Sequence, residues 1–89
     1  MNYKDMNYYR LSIYMQIEYE YNKKEIHFFK TEQEAEDFKN EYDKGHRKED
    51  GSYIPNIDFI EYDIDKIFYE EMKKEITVSQ FEEMFDIWL

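Results

Sequence analysis

The side chains that could do chemistry in this 89-residue chain are 22 carboxylates, two histidines and ten tyrosines, with no cysteine. The missing cysteine removes thiol nucleophiles, disulfides and zinc–cysteine centres. His27 stands between Ile26 and Phe28, whose side chains are expected to face the core, so His27 is read as a surface residue. His46 falls in a charged loop. Neither has a G-x-S-x-G turn to pair with, so no nucleophile and base come together. No glycine-rich loop is present to cradle a phosphate. Asp63-Ile64-Asp65 opens like a calcium loop, but Phe68 stands where the sixth position needs glycine and Lys74 where the twelfth needs a bidentate glutamate. No catalytic residue, cofactor or dedicated metal site is expected, and a loosely held divalent ion among the acids is the one metal alternative. What remains is electrostatics.

Acidic residues outnumber Lys plus Arg by 22 to 12, for a net charge of -10. Residues 1–30 carry four acids against five bases, residues 31–50 eight against four, and residues 51–89 ten against three. The negative charge therefore lies behind the first thirty residues. Glu61, Asp63 and Asp65 alternate with Tyr62 and Ile64. On a strand they share one face about 6.7 Å apart, similar to successive phosphates of a nucleic acid. Glu70 and Glu71 follow closely, Glu82, Glu83 and Asp86 mark the outer face of a last helix, and Glu36, Asp37 and Glu41 that of an earlier one. Such a surface keeps a small protein soluble, or it presents a phosphate-like array to a basic groove. Ten net charges exceed the roughly 2–8 that solubility asks of a small domain, which favours a neutralising partner.

Aromatic residues make up 20% of the chain. Tyr3, Tyr8, Tyr9 and Tyr14 lie at or before the first strand, with Tyr14 on its polar face and Phe29 expected on the outer face of the next strand. Exposed rings of this kind are enriched at interfaces. Stacking on bases is the other use, with Arg10, Lys23, Lys24 and Lys30 nearby, but the global charge opposes direct DNA binding.

These groups have to be positioned by one small domain spanning residues 1–89. Leu11, Ile13, Met15, Ile17, Tyr19 and Tyr21 alternate with polar residues and predict a long half-buried strand. Asn22-Lys23-Lys24 is read as the turn of a hairpin over residues 8–30, with Ile26 and Phe28 facing the core. Thr31 and Glu34 form a capping box opening a helix over 32–44, which Gly45 ends in a left-handed conformation. Both glycines and the only proline fall in the loop 45–56. A strand over 57–64 follows, then helices over 66–75 and 80–88. The first of these has Ile64, Ile67, Phe68 and Met72 on one arc; Glu71 falls inside it, so either Glu71 sits at the rim or the segment is not this helix. The second has a capping box at Ser79–Glu82 and Phe81, Met84, Phe85 and Trp88 along its apolar side. The order β-β-α-β-α-α predicts an α+β fold, an antiparallel sheet with helices on one face.

The chain opens without a signal-peptide pattern and holds no apolar run of membrane-spanning length, so a cytoplasmic protein is expected. Lys exceeds Arg by ten to two and Ile exceeds Leu by ten to two, a bias typical of AT-rich genomes. In its size, absent cysteine, residue bias and carboxylate clusters at Glu61, Asp63, Asp65, Glu70 and Glu71, the chain resembles the small acidic inhibitors carried by phages and mobile elements, above all anti-CRISPR proteins. That resemblance implies a non-enzymatic protein that occupies a nucleic-acid-binding surface of a bacterial defence complex, a CRISPR effector protein or ribonucleoprotein, in the host cytoplasm. The alternative reading is an acidic protein–protein interaction module, or a homodimeric accessory subunit, with no mimicry.

Overall fold

The computed structural model describes residues 2–85. After a short 3-10 turn at Tyr3–Asp5 come β1 (Asn7–Ile17), β2 (Tyr21–Phe29), α1 (Glu32–Gly45), β3 (Ile57–Phe68), α2 (Tyr69–Glu75) and α3 (Val78–Phe85). The three strands form one antiparallel sheet in the order β2-β1-β3. The α+β class and the β-β-α-β-α-α order are as the periodicities indicate.

The helices, however, lie on both faces of the sheet. Leu11, Ile13 and Met15 of β1 are buried with Ile60 beneath Phe38 and Tyr42 of α1. Tyr8, one step out of phase with Leu11, is buried on the opposite face with Phe28 and Ile67, where Tyr69 and Met72 of α2 and Phe81, Met84 and Phe85 of α3 cover it. Alternation along a strand sends odd and even residues to opposite faces, so the apolar even residues at one end of β1 require a second cover there.

Four local expectations change for related reasons. The hairpin turn is at Glu18–Glu20, not Asn22–Lys24: Glu18 and Tyr19 take left-handed φ values of 51° and 63°. Their amides are held from β3's side, Glu18 N–H by the Asn56 carbonyl at 2.9 Å and Tyr19 N–H by Asp58 Oδ2 at 2.7 Å. Tyr19, expected to be core-facing, is 84% exposed at the tip, and Tyr21 is exposed beside it. β3 continues to Phe68 rather than ending at Ile64, so the next helix begins at Tyr69, not 66. Its buried arc is Tyr69 and Met72, which leaves Glu71 exposed rather than at the rim, and Phe68 is exposed.

α1 is capped as expected by the Thr31 hydroxyl, which accepts from Glu34 N–H at 3.1 Å. Gly45, though, stays within the helix without a positive φ. The helix ends instead at His46, whose N–H donates to the Asp43 carbonyl at 3.1 Å, while Arg47 N–H donates to that of Lys44 at 3.3 Å; the His46 ring Nδ1 lies 2.6 Å from the Tyr42 carbonyl. Thr77, not Ser79, caps α3, accepting from Gln80 N–H at 3.1 Å. Asp86 and Trp88 lie outside the described residues.

No helix among the described residues is long and apolar enough to cross a membrane.

Candidate acidic docking face

Strand register assembles the site. On the even face of β1, Lys24, Tyr14 and Glu61 stand side by side across the three strands; next come Ile26, Ser12 and Asp63, then Phe28, Arg10 and Asp65. Beyond them Tyr8 and Ile67 pass under α2 and α3. The face is thus apolar and covered at one end, acidic and open at the other, with an ion-paired row between.

That middle row is closed internally. Arg10 donates to Asp65 at 3.2 Å and to Glu75 of α2 at 2.5 Å. Burial tends to lower the guanidinium's pKa, but its bonds to the two carboxylates outweigh that and hold it above its usual value. Arg10 therefore pins the end of α2 to β1 and β3. Asp65, although in line with Glu61 and Asp63, is already partnered.

Glu61 and Asp63 are exposed, and neither enters an ion pair among the described residues. The Asp65 carboxyl beside it, which a protonated Asp63 can hydrogen-bond and whose charge disfavours an ionised one, raises the Asp63 carboxyl above the ordinary aspartate value. Tyr14, half-buried, lies opposite Glu61 with its ring centroid 6.1 Å from that of Phe59. Two carboxylates without an ion-pair partner among the described residues, beside a paired aromatic platform, are what this end of the sheet offers. Such a surface can accept guanidinium forks and bury a flat group next to them.

The remaining acids do not join it. Glu70 and Glu71 sit in the first turn of α2 past the far end of β3, and Phe68 alone is roughly 23 Å along the strand from Glu61. Glu36, Asp37 and Glu41 belong to α1, on the other side of the sheet. Glu36 pairs with Lys39 at 3.7 Å, and Asp37 accepts from Gln33 at 2.9 Å. Phe29, expected to point outward with Tyr14, opposes Tyr9 on the α1 face and packs on Phe38 with centroids 5.4 Å apart. The cover on both faces accounts for this: Phe28 is buried under α2 and α3, so its neighbour Phe29 turns to the α1 side rather than to solvent.

Two polar clusters under α1 were missed in the sequence. The Tyr42 hydroxyl donates to Glu25, His27 Nε2 lies 3.3 Å from the same carboxylate, and His46 stacks on the Tyr42 ring at 4.3 Å. His27, expected at the surface, is half-buried against Phe38 at 4.5 Å. Nearby, Asp43 accepts from Tyr62 at 2.8 Å and from Arg47 at 2.7 Å, and Arg47 lies 4.1 Å over the Tyr53 ring. Burial raises both carboxyls, but their donors prevail and hold Glu25 and Asp43 below ordinary carboxylate values. The partner hydroxyls of Tyr42 and Tyr62 are raised, by burial first and then by those carboxylates. Every polar member is paired, so the clusters clamp α1 and the following loop to the sheet. The Asp43/Arg47 and Tyr42/His46 spacings of four were the available signal.

No family model matches the chain, and comparison with curated proteins and with solved structures gives no match either.

Proposed function

We propose that this protein is a non-enzymatic inhibitor that binds a nucleic-acid-binding surface of a bacterial defence complex, in the manner of anti-CRISPR proteins, and blocks target DNA there. The observation that carries this reading is the pair of exposed carboxylates, Glu61 and Asp63, without an ion-pair partner among the described residues and beside Tyr14 on the uncovered end of the sheet. Effectors of that kind hold nucleic acid in positively charged channels and read a short duplex element with arginines. Carboxylates about 6.7 Å apart accept the same arginine forks. The net charge of -10 draws the protein towards such a channel and repels it from DNA itself.

The test is the double variant Glu61→Lys, Asp63→Lys. Asp65 is left intact because reversing it would also strand Arg10 and Glu75. Wild type is expected to suppress target-DNA binding by CRISPR effectors purified from low-GC bacteria, with an affinity that drops at least tenfold between 50 and 200 mM salt, on the order of the loss seen for multi-charge contacts. The variant should fold normally and lose suppression. Inhibition by the variant at wild-type concentrations sinks the acidic-face mechanism. Association that ignores salt and charge reversal instead favours an interaction module held by its aromatic residues.

A further inference from the structure

The two rims of the sheet are treated differently by the fold. β2's outer rim runs between α1 and α3: His27, Phe28, Phe29 and Lys30 line a groove whose walls are Glu34 and Phe38 on one side and Gln80, Glu83 and Met84 on the other. Gln80 donates to the Ile26 carbonyl at 3.4 Å, so the rim is partly capped. β3 is the other rim and the longer strand, at 12 residues. Among the described residues, no hydrogen bond from outside the sheet reaches its main chain between Asp58 and Phe68. A row of unsatisfied N–H and C=O groups is a template for another strand.

We infer that the outer rim of β3 accepts an extended segment in which basic and apolar residues alternate, added as a fourth strand. The inference rests on Glu61 and Asp63 being the docking face and specifies how a partner engages it. An added strand sets its side chains directly opposite those of β3 on each face. On the even face, these opposing positions meet Glu61 and Asp63, so they favour Arg or Lys. On the odd face they meet Ile60, Tyr62 and Ile64, the last two half-buried and packed at the margin of the core, so they favour apolar residues. A second copy of this chain is disfavoured as occupant. Antiparallel β3–β3 pairing centred on Asp63 sets Asp63 against Asp63 and Glu61 against Asp65, and like charges directly opposite are repulsive. The acids that stop self-pairing are the ones that select a basic strand.

The probe is an N-acetylated heptapeptide alternating Arg and Val, compared with one of identical composition in which four Arg precede three Val. Both are titrated into the full chain at 100 mM salt, and main-chain amides are followed by NMR hydrogen exchange. The alternating peptide is expected to bind at least tenfold more tightly and to protect every second amide from Phe59 to Asp65. Equal binding of the two peptides without new amide protection overturns strand addition but leaves the acidic face as a charge-binding surface. Binding of neither overturns both. A Glu61→Lys, Asp63→Lys variant gives an independent check: it should exchange its preference for an alternating Glu/Val peptide. Retained preference for the Arg/Val peptide would also overturn the proposal.

Discussion

Along a single sheet face, the two ends of β1 meet opposite fates. At one end Tyr8 is 1% exposed and Ile67 4%, sealed by a Met72 that is fully buried. At the other, Tyr14 and Ser12 are only half-buried and their β3 neighbours Glu61 and Asp63 are exposed. The same strand pair supplies both, so main-chain geometry does not decide between them. Side-chain chemistry does: the two β3 residues at this end of the face, Glu61 and Asp63, are carboxylates, and a helix laid over them would have to desolvate charge without a partner. Arg10 marks the border, where one cation lets a helix end approach an acid. The uncovered surface therefore lies where no cation is held against the β3 carboxylates.

The largest expected effect separates the two ends outright. Met72→Ala should cost about 2–5 kcal/mol, the range for emptying a closed apolar site, while Tyr14→Ala should cost under about 1 kcal/mol. Chemical denaturation of both variants measures the contrast. Equal losses would mean that the acidic end is as tightly packed as the covered one.

At the border, Arg10→Ala should cost about 1 kcal/mol, because the ion pairs are partly solvent-screened and Asp65 and Glu75 can turn to water. Its sharper signature is local: hydrogen exchange should quicken in α2 and leave α1 unchanged. A uniform change across both helices would break the assignment of Arg10 as the pin of α2.

The smallest effect is in the pH profile. Glu25 and Asp43 have folded pKa values below the unfolded ones, so the stability they contribute is present above the unfolded carboxylate pKa and lost as pH falls through the folded value. Asp63 has the opposite sign: its raised pKa favours the fold at low pH, and that contribution is lost as pH rises through the folded value. Asp43→Asn should flatten the acid limb of the stability curve. Asp63→Asn should leave that limb in place and slightly raise stability near neutrality. Denaturant midpoints between pH 3 and 7 check both signs.

Much of this arrangement was legible in the residues. Period-two alternation marked the Leu11, Ile13 and Met15 core positions and put Glu61, Asp63 and Asp65 on one face. Thr31 announced its helix. What misled was the covered end. Ile64 and Ile67 are three apart, which reads as helix, yet they are strand residues facing opposite covers, since burial on both faces erases alternation. The position of the hairpin turn was equally hidden. Glu18 and Tyr19 are poor left-handed residues by type, and their conformation is supported by Asn56 and Asp58, far along the chain. Phe29 points under α1 because both faces of the sheet are covered, so the neighbour of a core residue need not face solvent. At the site, the pairing that sets Asp65 apart from Glu61 and Asp63 is its ion pair with Arg10 across the β1–β3 register, a contact 55 residues apart that no local pattern encodes.

The support for that turn also bears on the order in which the chain assembles. Two strands joined by three residues ordinarily close by themselves within microseconds, since the contacts are local. Here the tip is fastened by a residue 39 positions away, and its left-handed residues are unfavourable until that fastening arrives. The hairpin is thus completed only when the third strand is laid beside it, so a local event waits on a distant loop closure. An early folding nucleus confined to residues 7–29 is not expected in this protein; the sheet forms as three strands or not at all.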